Sequence, residues 1–266
     1  MPELLRRAVG DRSRALGAWL LGFAAYIALI VAVFPSIHGS QQFDDLLKQY
    51  PDVLKSFLGI GDTLSITSGP GFLDTELFSL MLPLLALVLA IGVGAATIAG
   101  EEEQGLLELV VSAPVTRRAV IGWKAVGLAV EIVAVAVTII VTLLIGDALA
   151  DLGLDAGRLV GATLGICLLA LLHGWLAMLV GAATRHRSFA IAVPAGLAAI
   201  AYLIAGLHSL ADWLDPFRYV STFYYAGQST LSSGVDWGHL AVLAAACLIV
   251  LAAAIGVFER RDLGGA

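Results

Sequence analysis

Apolar runs long enough to cross a bilayer as a helix recur six times along the chain. They extend from about Leu16 to Pro35, Leu77 to Ala99, Ala119 to Ile145, Leu159 to Ala183, Phe189 to Leu207 and Leu240 to Phe258. Lys124 and Glu131 interrupt the third run. Pro83 and Pro194 fall inside the second and fifth and predict kinks. Gly161 and Gly165 form a small-xxx-small pair in the fourth, a pattern suited to close helix packing. The pattern predicts an all-α polytopic membrane protein with six transmembrane helices, forming one domain over residues 1–266.

Composition narrows the picture further. Of the 266 residues, 59% are hydrophobic and only 14% charged, with a mean hydropathy of +0.93. A soluble globule must present a mostly polar exterior, so soluble enzymes, secreted disulfide scaffolds and disordered regulators are excluded. The net charge of −6 gives no support to a nucleic-acid partner. Cys167 and Cys247 lie within apolar runs and no histidine cluster joins them, so they read as packing residues and no metal site is expected. Arg6, Arg7, Arg12 and Arg14 precede the first run in the manner of a signal peptide. The apolar core is too long for one and no clean small-x-small site follows Phe34, so an uncleaved helix is expected.

Basic residues orient the spans. With six spans both termini share a side, and that side collects Arg6, Arg7, Arg12, Arg14, Arg117, Arg118, Lys124, Arg185, Arg187, Arg260 and Arg261. The other side keeps only Lys48, Lys55, Arg158 and Arg218 among many aspartates. Both termini are therefore expected in the cytoplasm, with the chain in the inner membrane. Residues 1–14 read as a short interfacial helix, with Leu4, Leu5, Ala8 and Val9 on one face. In the outer loop from Ser36 to Glu76, Phe43 through Leu58 recur at helical spacing about Pro51, and Gly59, Gly61, Gly69, Pro70 and Gly71 predict an irregular stretch. That loop reads either as a lid or as an amphipathic helix on lipid headgroups. The second outer loop, Ser209 to His239, carries Trp213, Phe217, Tyr219, Phe223, Tyr224, Tyr225 and Trp237. Such residues form interface belts, and Asp215 to Leu231 is short and polar enough to dip into the membrane and return as a re-entrant segment.

The most informative segment joins the second and third spans and reads GEEEQGLLELVVSAPVTRRAVIGWK. Glu101, Glu102 and Glu103 open it, an apolar stretch broken by Glu108 follows, and Ser112, Ala113 and Pro114 stop the helix. Thr116 can cap the next helix through its hydroxyl, and Arg117 and Arg118 anchor the third span. A short, rigidly held helix with acidic and apolar surfaces is suited to carry force from a soluble partner.

This segment resembles the loop between the second and third spans of ABC-2-type transporter permeases. The resemblance rests on Glu102, Glu103, Gly105, Leu106, Leu107, Glu108, Leu109, Ser112, Pro114, Thr116 and Arg117 and extends to the whole topology. Leu106 stands where the family often has threonine. The resemblance implies that residues 100–117 form the coupling helix of a half-transporter, seated in a groove of an ABC ATPase subunit. Glu101, Glu102, Glu103, Gly105, Leu106, Leu107, Glu108, Leu109, Ser112, Pro114 and Arg117 would be its coupling residues. It implies two ATPase copies and a second permease, identical or not, with ATP and magnesium held by the ATPase and no cofactor in this chain. Independently, the chain contains no G-x-x-x-x-G-K-[ST] phosphate loop. The first outer loop and second span look most like permeases of bacterial drug- or antibiotic-export systems, which implies a hydrophobic or amphipathic small-molecule substrate.

Ionisable groups at mid-membrane are costly and point to a function or a partner. Glu131 lies about 18 Å inside the third span and His173 about 16 Å inside the fourth, both counted from the cytoplasmic side. Both are expected to face the interior, where they can pair. The pair reads either as a substrate- or proton-linked site or as a structural lock between two helices. Alternatives to ATP-driven export are an ion-coupled carrier relaying protons through Glu131, or an intramembrane enzyme. The first lacks an inverted repeat, and the second lacks a nucleophile with its base.

Overall fold

A computed structural model of the chain describes residues 2–37, 68–105, 116–208, 213, 215–227 and 230–260, with side chains of the first helix described from Ser13 onward. Six of its helices are long and apolar enough to cross a membrane. They are α1 (Pro2–Ile37), α2 (Gly69–Glu103), α3 (Arg117–Ala150), α4 (Ala156–Thr184), α5 (Arg187–Leu207) and, after the outer segment, α8 (Trp237–Arg260). The outer segment consists of a 3-10 turn at Asp215–Val220, then α6 (Thr222–Ala226) and α7 (Thr230–Ser233). No strand occurs among the described residues. All six expected spans are present, each longer than its apolar run because helix continues into the polar flanks.

Burial orders the helices. In their most apolar windows α2 and α4 are 61% and 67% buried, against 17% for α1 and 22% for α8, so α2 and α4 form the centre. They touch backbone to backbone. A β-carbon on Gly94 would come within 2.2 Å of the Gly174 carbonyl oxygen, so the two glycines create the crossing. α3 turns one stripe inward, with Ile121, Ala125, Leu128, Ile132, Val135, Ile139 and Leu143 recurring at helical spacing. Its opposite face, with Val126, Val130, Val133, Val137 and Val141, is exposed, as befits a surface solvated by lipid or by another subunit.

Three local outcomes differ from the sequence pattern. First, α1 is continuous from Pro2 to Ile37, so the segment expected as a separate interfacial helix runs straight into the first span. No glycine or proline stands between Arg12 and Leu16 to break it. Second, Gly69, Pro70 and Gly71 open α2 rather than forming an irregular stretch. Ser68 caps the helix by accepting the Gly71 N–H, and proline is tolerated in a first turn. Third, the kink expected at Pro83 is present but takes the form of a full break in α2, with a π-turn ahead of it. A π-turn at Asp74–Phe78 ends at Ser79 and Leu80, and regular helix resumes at Met81. The proline ring excludes the carbonyl four residues earlier, that of Ser79, which places the break there. The amphipathic helices expected over 43–58, together with Gly59 and Gly61, lie outside the described residues.

Candidate functional site

The end of α2 that the charge pattern assigns to the cytoplasm is the first element of the site. A second π-turn, Ala96–Gly100, precedes its last turn, and Gly105 follows in the left-handed conformation that terminates helices (φ +68°). Each of the three glutamates in that last turn meets a different neighbour. Glu101 Oε2 lies 2.5 Å from Lys124 Nζ on α3. Lys124 also donates to the Thr97 carbonyl at 2.8 Å. The π-turn makes that carbonyl accessible, because the Glu101 N–H bonds back to Ala96 instead. Glu102 Oε1 lies 3.8 Å from Arg185 Nε at the end of α4. Glu103 Oε1 accepts the Arg187 N–H at 2.8 Å. Arg187 opens α5, whose own cap residue His186 makes no side-chain cap, so Glu103 caps α5 from another helix.

The acids that the sequence marks as coupling residues therefore bind basic and N–H groups of this chain, and they fix the ends of α3, α4 and α5 around the end of α2. Leu106, Leu107, Glu108, Leu109, Ser112 and Pro114 lie outside the described residues. The chain re-enters description at Thr116, whose hydroxyl accepts the Ala119 N–H at 3.3 Å and caps α3. Arg117 Nη1 reaches the Glu259 carbonyl at 3.4 Å, and Arg118 pairs with the Glu259 carboxylate, which ties the start of α3 to the end of α8.

Glu131 and His173 are both buried. Glu131 lies on the inward stripe of α3 between Leu128 and Ile132. His173 Nδ1 donates to the Leu169 carbonyl, one turn earlier on its own helix, at 2.9 Å. The register between α3 and α4 explains why the ring turns that way. Trp175 Nε1 bonds the Ala125 carbonyl and Cys167 Sγ faces the Ile132 carbonyl. Glu131 is thus level with Leu168 and Leu169, and His173 stands about 6 Å closer to the last turn of α4. His173 therefore hydrogen-bonds within its own helix, and the two buried groups differ in level by about one turn.

At the outer end the structure assembles a polar cluster absent from the sequence reading. Asp74, fully buried in its π-turn, accepts the N–H of Leu231 at 3.1 Å, the N–H of Ser232 at 2.9 Å and the Ser232 hydroxyl at 2.6 Å. Arg158 Nη1, from the first turn of α4, donates to the carbonyls of the same two residues at 3.2 and 2.8 Å. Gly161 and Gly165 serve this contact rather than the packing of two spans. A β-carbon on Gly161 would meet Val235 at 2.3 Å, and one on Gly165 would meet the Ala226 carbonyl oxygen at 2.2 Å. Ser221 completes the docking by donating to the Ala201 carbonyl of α5 at 2.6 Å. Ala201 lies about 9 Å below the outer end of α5, so the segment reaches down alongside the spans. Only the charge of Asp74 and Arg158 was visible beforehand, since their partner lies far along the chain.

Two cavities flank the outer segment. One, of about 450 Å³, lies between α2 and α5 and is almost wholly apolar, with Leu84, Val88, Ile91, Ala198, Tyr202 and Phe223 in its wall. The other, of about 270 Å³, lies between the outer segment and α4, α5 and α8, and its wall includes His208, Tyr224, Tyr225, Thr230, Asp236 and His239. Phe223 belongs to both walls, is only 3% exposed, and stands edge-on to Tyr202 with ring centroids 5.3 Å apart. The aromatic residues of this loop divide accordingly. Trp213, Phe217, Tyr219 and Trp237 are exposed as a belt would be, while Phe223 is a partition.

A bundle of six helices able to cross a membrane, with an acidic turn braced by basic groups at the end of its second span, defines a multi-pass membrane protein. The sequence model described as ABC-2 family transporter protein matches residues 11–263. The chain belongs to that family, as an ABC transporter permease, and membership implies association with an ABC ATPase. A search of curated proteins gave no match.

Proposed function

We propose that this chain is the permease half of an ATP-driven exporter that moves a hydrophobic or amphipathic small molecule outward from the cytoplasm or inner leaflet. The observation that carries the proposal is the apolar cavity between α2 and α5, in the size range of small-molecule pockets and sharing Phe223 in its wall with the outer polar cavity. A route running from an apolar wall to a wall of tyrosine, histidine and aspartate suits a solute that leaves lipid for water. In this reading the termini are cytoplasmic and residues 100–117 engage the ATPase. Two ATPase copies and a second permease complete the transporter, with the second permease covering the exposed apolar faces. The acid-braced end of α2 supports the coupling role, since a push on the loop leaving Gly105 reaches α3, α4 and α5 at once.

The test is uptake of a hydrophobic fluorescent dye into inside-out vesicles holding the permease with its ATPase. ATP-dependent uptake that survives a protonophore and vanishes with a hydrolysis-dead ATPase is expected. Uptake that follows the proton gradient and ignores ATP would overturn the proposal and favour a carrier working through Glu131. Native mass spectrometry of the gently extracted complex checks the stoichiometry.

A further inference from the structure

Resting on the export reading above, we propose that Asp74 and Arg158 are the positioning residues that hold the outer gate shut, by clamping α7 from its two polar sides. α7 has four residues, too few to hold a helical turn unaided. Two of its residues are gripped at both their N–H and their carbonyl. Asp74 takes the N–H groups of Leu231 and Ser232, and Arg158 takes their carbonyls. The grip joins α2 to α4 through the outer segment. It also fixes the segment that carries Phe223, because Thr230 donates its hydroxyl to the Gly227 carbonyl and the Gly227 N–H bonds the Phe223 carbonyl.

A solute in the apolar cavity reaches the outer cavity only if Phe223 moves. The notches at Gly161 and Gly165 leave the segment no room to slide against α4, so it must lift away. Lifting breaks the contacts of Asp74, a fully buried carboxylate whose three donors all come from Leu231 and Ser232. A buried carboxylate stripped of its donors is strongly disfavoured. Outward opening is therefore set by this clamp, and water entering with the solute is what releases it.

The test uses the full permease–ATPase complex with a reporter thiol, Ala226→Cys. Ala226, the last residue of α6, is buried against α4 and lines the outer cavity. The native thiols, Cys167 and Cys247, are buried in the core and serve as the fold control. Maleimide labelling of A226C is expected to be slow in the resting complex and to accelerate during ATP turnover. In D74N the charge is lost and an NH₂ replaces one acceptor oxygen, facing either the Leu231 N–H or the N–H and hydroxyl of Ser232. Labelling at rest is expected to rise about tenfold or more, the worth of one hydrogen bond to a charged group. R158Q should behave alike, and S232A, which deletes one donor of three, should rise less. The D74N rate should no longer depend on ATP, a change that mere loosening of the fold would not produce. Unchanged A226C labelling in both D74N and R158Q would overturn the clamp. If the core thiols of D74N also react, R158Q and S232A decide by the same criterion. Failure of the export reading shows separately, as absent ATP-driven dye uptake by the unmutated complex.

Discussion

Removing Glu101 exposes the energetic role of the cytoplasmic brace. The Lys124 side chain is only 14% exposed and that of Glu101 29%, so neither group is fully solvated. The ammonium has two recorded anchors, the Glu101 carboxylate at 2.5 Å and the Thr97 carbonyl at 2.8 Å. E101A leaves a largely buried cation with one neutral acceptor. A hydrogen bond to a charged group contributes about 1.5–3 kcal/mol, so E101A should cost about 2 kcal/mol. K124M keeps the stem packing and removes the charge, leaving Glu101 free to turn toward water, and should cost about 1 kcal/mol. In the double variant no charge is stranded, so its cost should fall short of the sum by at least about 1 kcal/mol. The assay is a double-mutant cycle on unfolding in mixed micelles, followed by loss of helical signal. Additivity within about 0.5 kcal/mol would refute the reasoning, because neighbours that share a buried charge must couple. The same variants in ATP-driven uptake should lower transport per hydrolysed ATP more than they lower hydrolysis.

The α2–α4 crossing should reject a side chain. Gly94→Val is expected to destabilise by about 1–3 kcal/mol through overpacking, whereas Gly92→Ala, with nothing near its β-carbon, should be neutral in thermal unfolding. Loss of the cap on α5 in Glu103→Ala should cost about 1 kcal/mol and raise amide exchange in the first turn of that helix. Phe223→Ala should raise passive dye leak in the absence of ATP, read in sealed vesicles, if Phe223 is the partition between the two cavities.

The spans were legible because a bilayer demands an unbroken apolar stretch, and α3, α4, α5 and α8 each contain the run that announced them. What was hidden is long-range. Glu101 to Glu103 stand out as a motif, but their partners at 124, 185 and 187 belong to three other helices, and nothing local assigns them. Asp74 and Ser232 lie 158 residues apart, and Arg158 looked like a minor exception to the charge asymmetry. Gly161 and Gly165 gave the correct signal, close approach, with the wrong neighbour, because spacing reports a smooth face and not what lies on it. The depths of Glu131 and His173 were counted from apolar boundaries. α3 actually begins at Arg117, and that extension adds about 3 Å to the depth of Glu131 relative to His173.

The last turn of α2 is built as a distributor. Successive helical residues point about 100° apart, so three consecutive carboxylates cover most of the circle around the axis. No rotation or tilt of that turn can be hidden from its surroundings, since any such movement loads at least one of Lys124, Arg185 or the first amide of α5. Drift at these positions should accordingly be concerted. A lineage that loses the acid at 101 should lose the lysine at 124 with it, and a change at 103 should be answered by a new capping residue at 186.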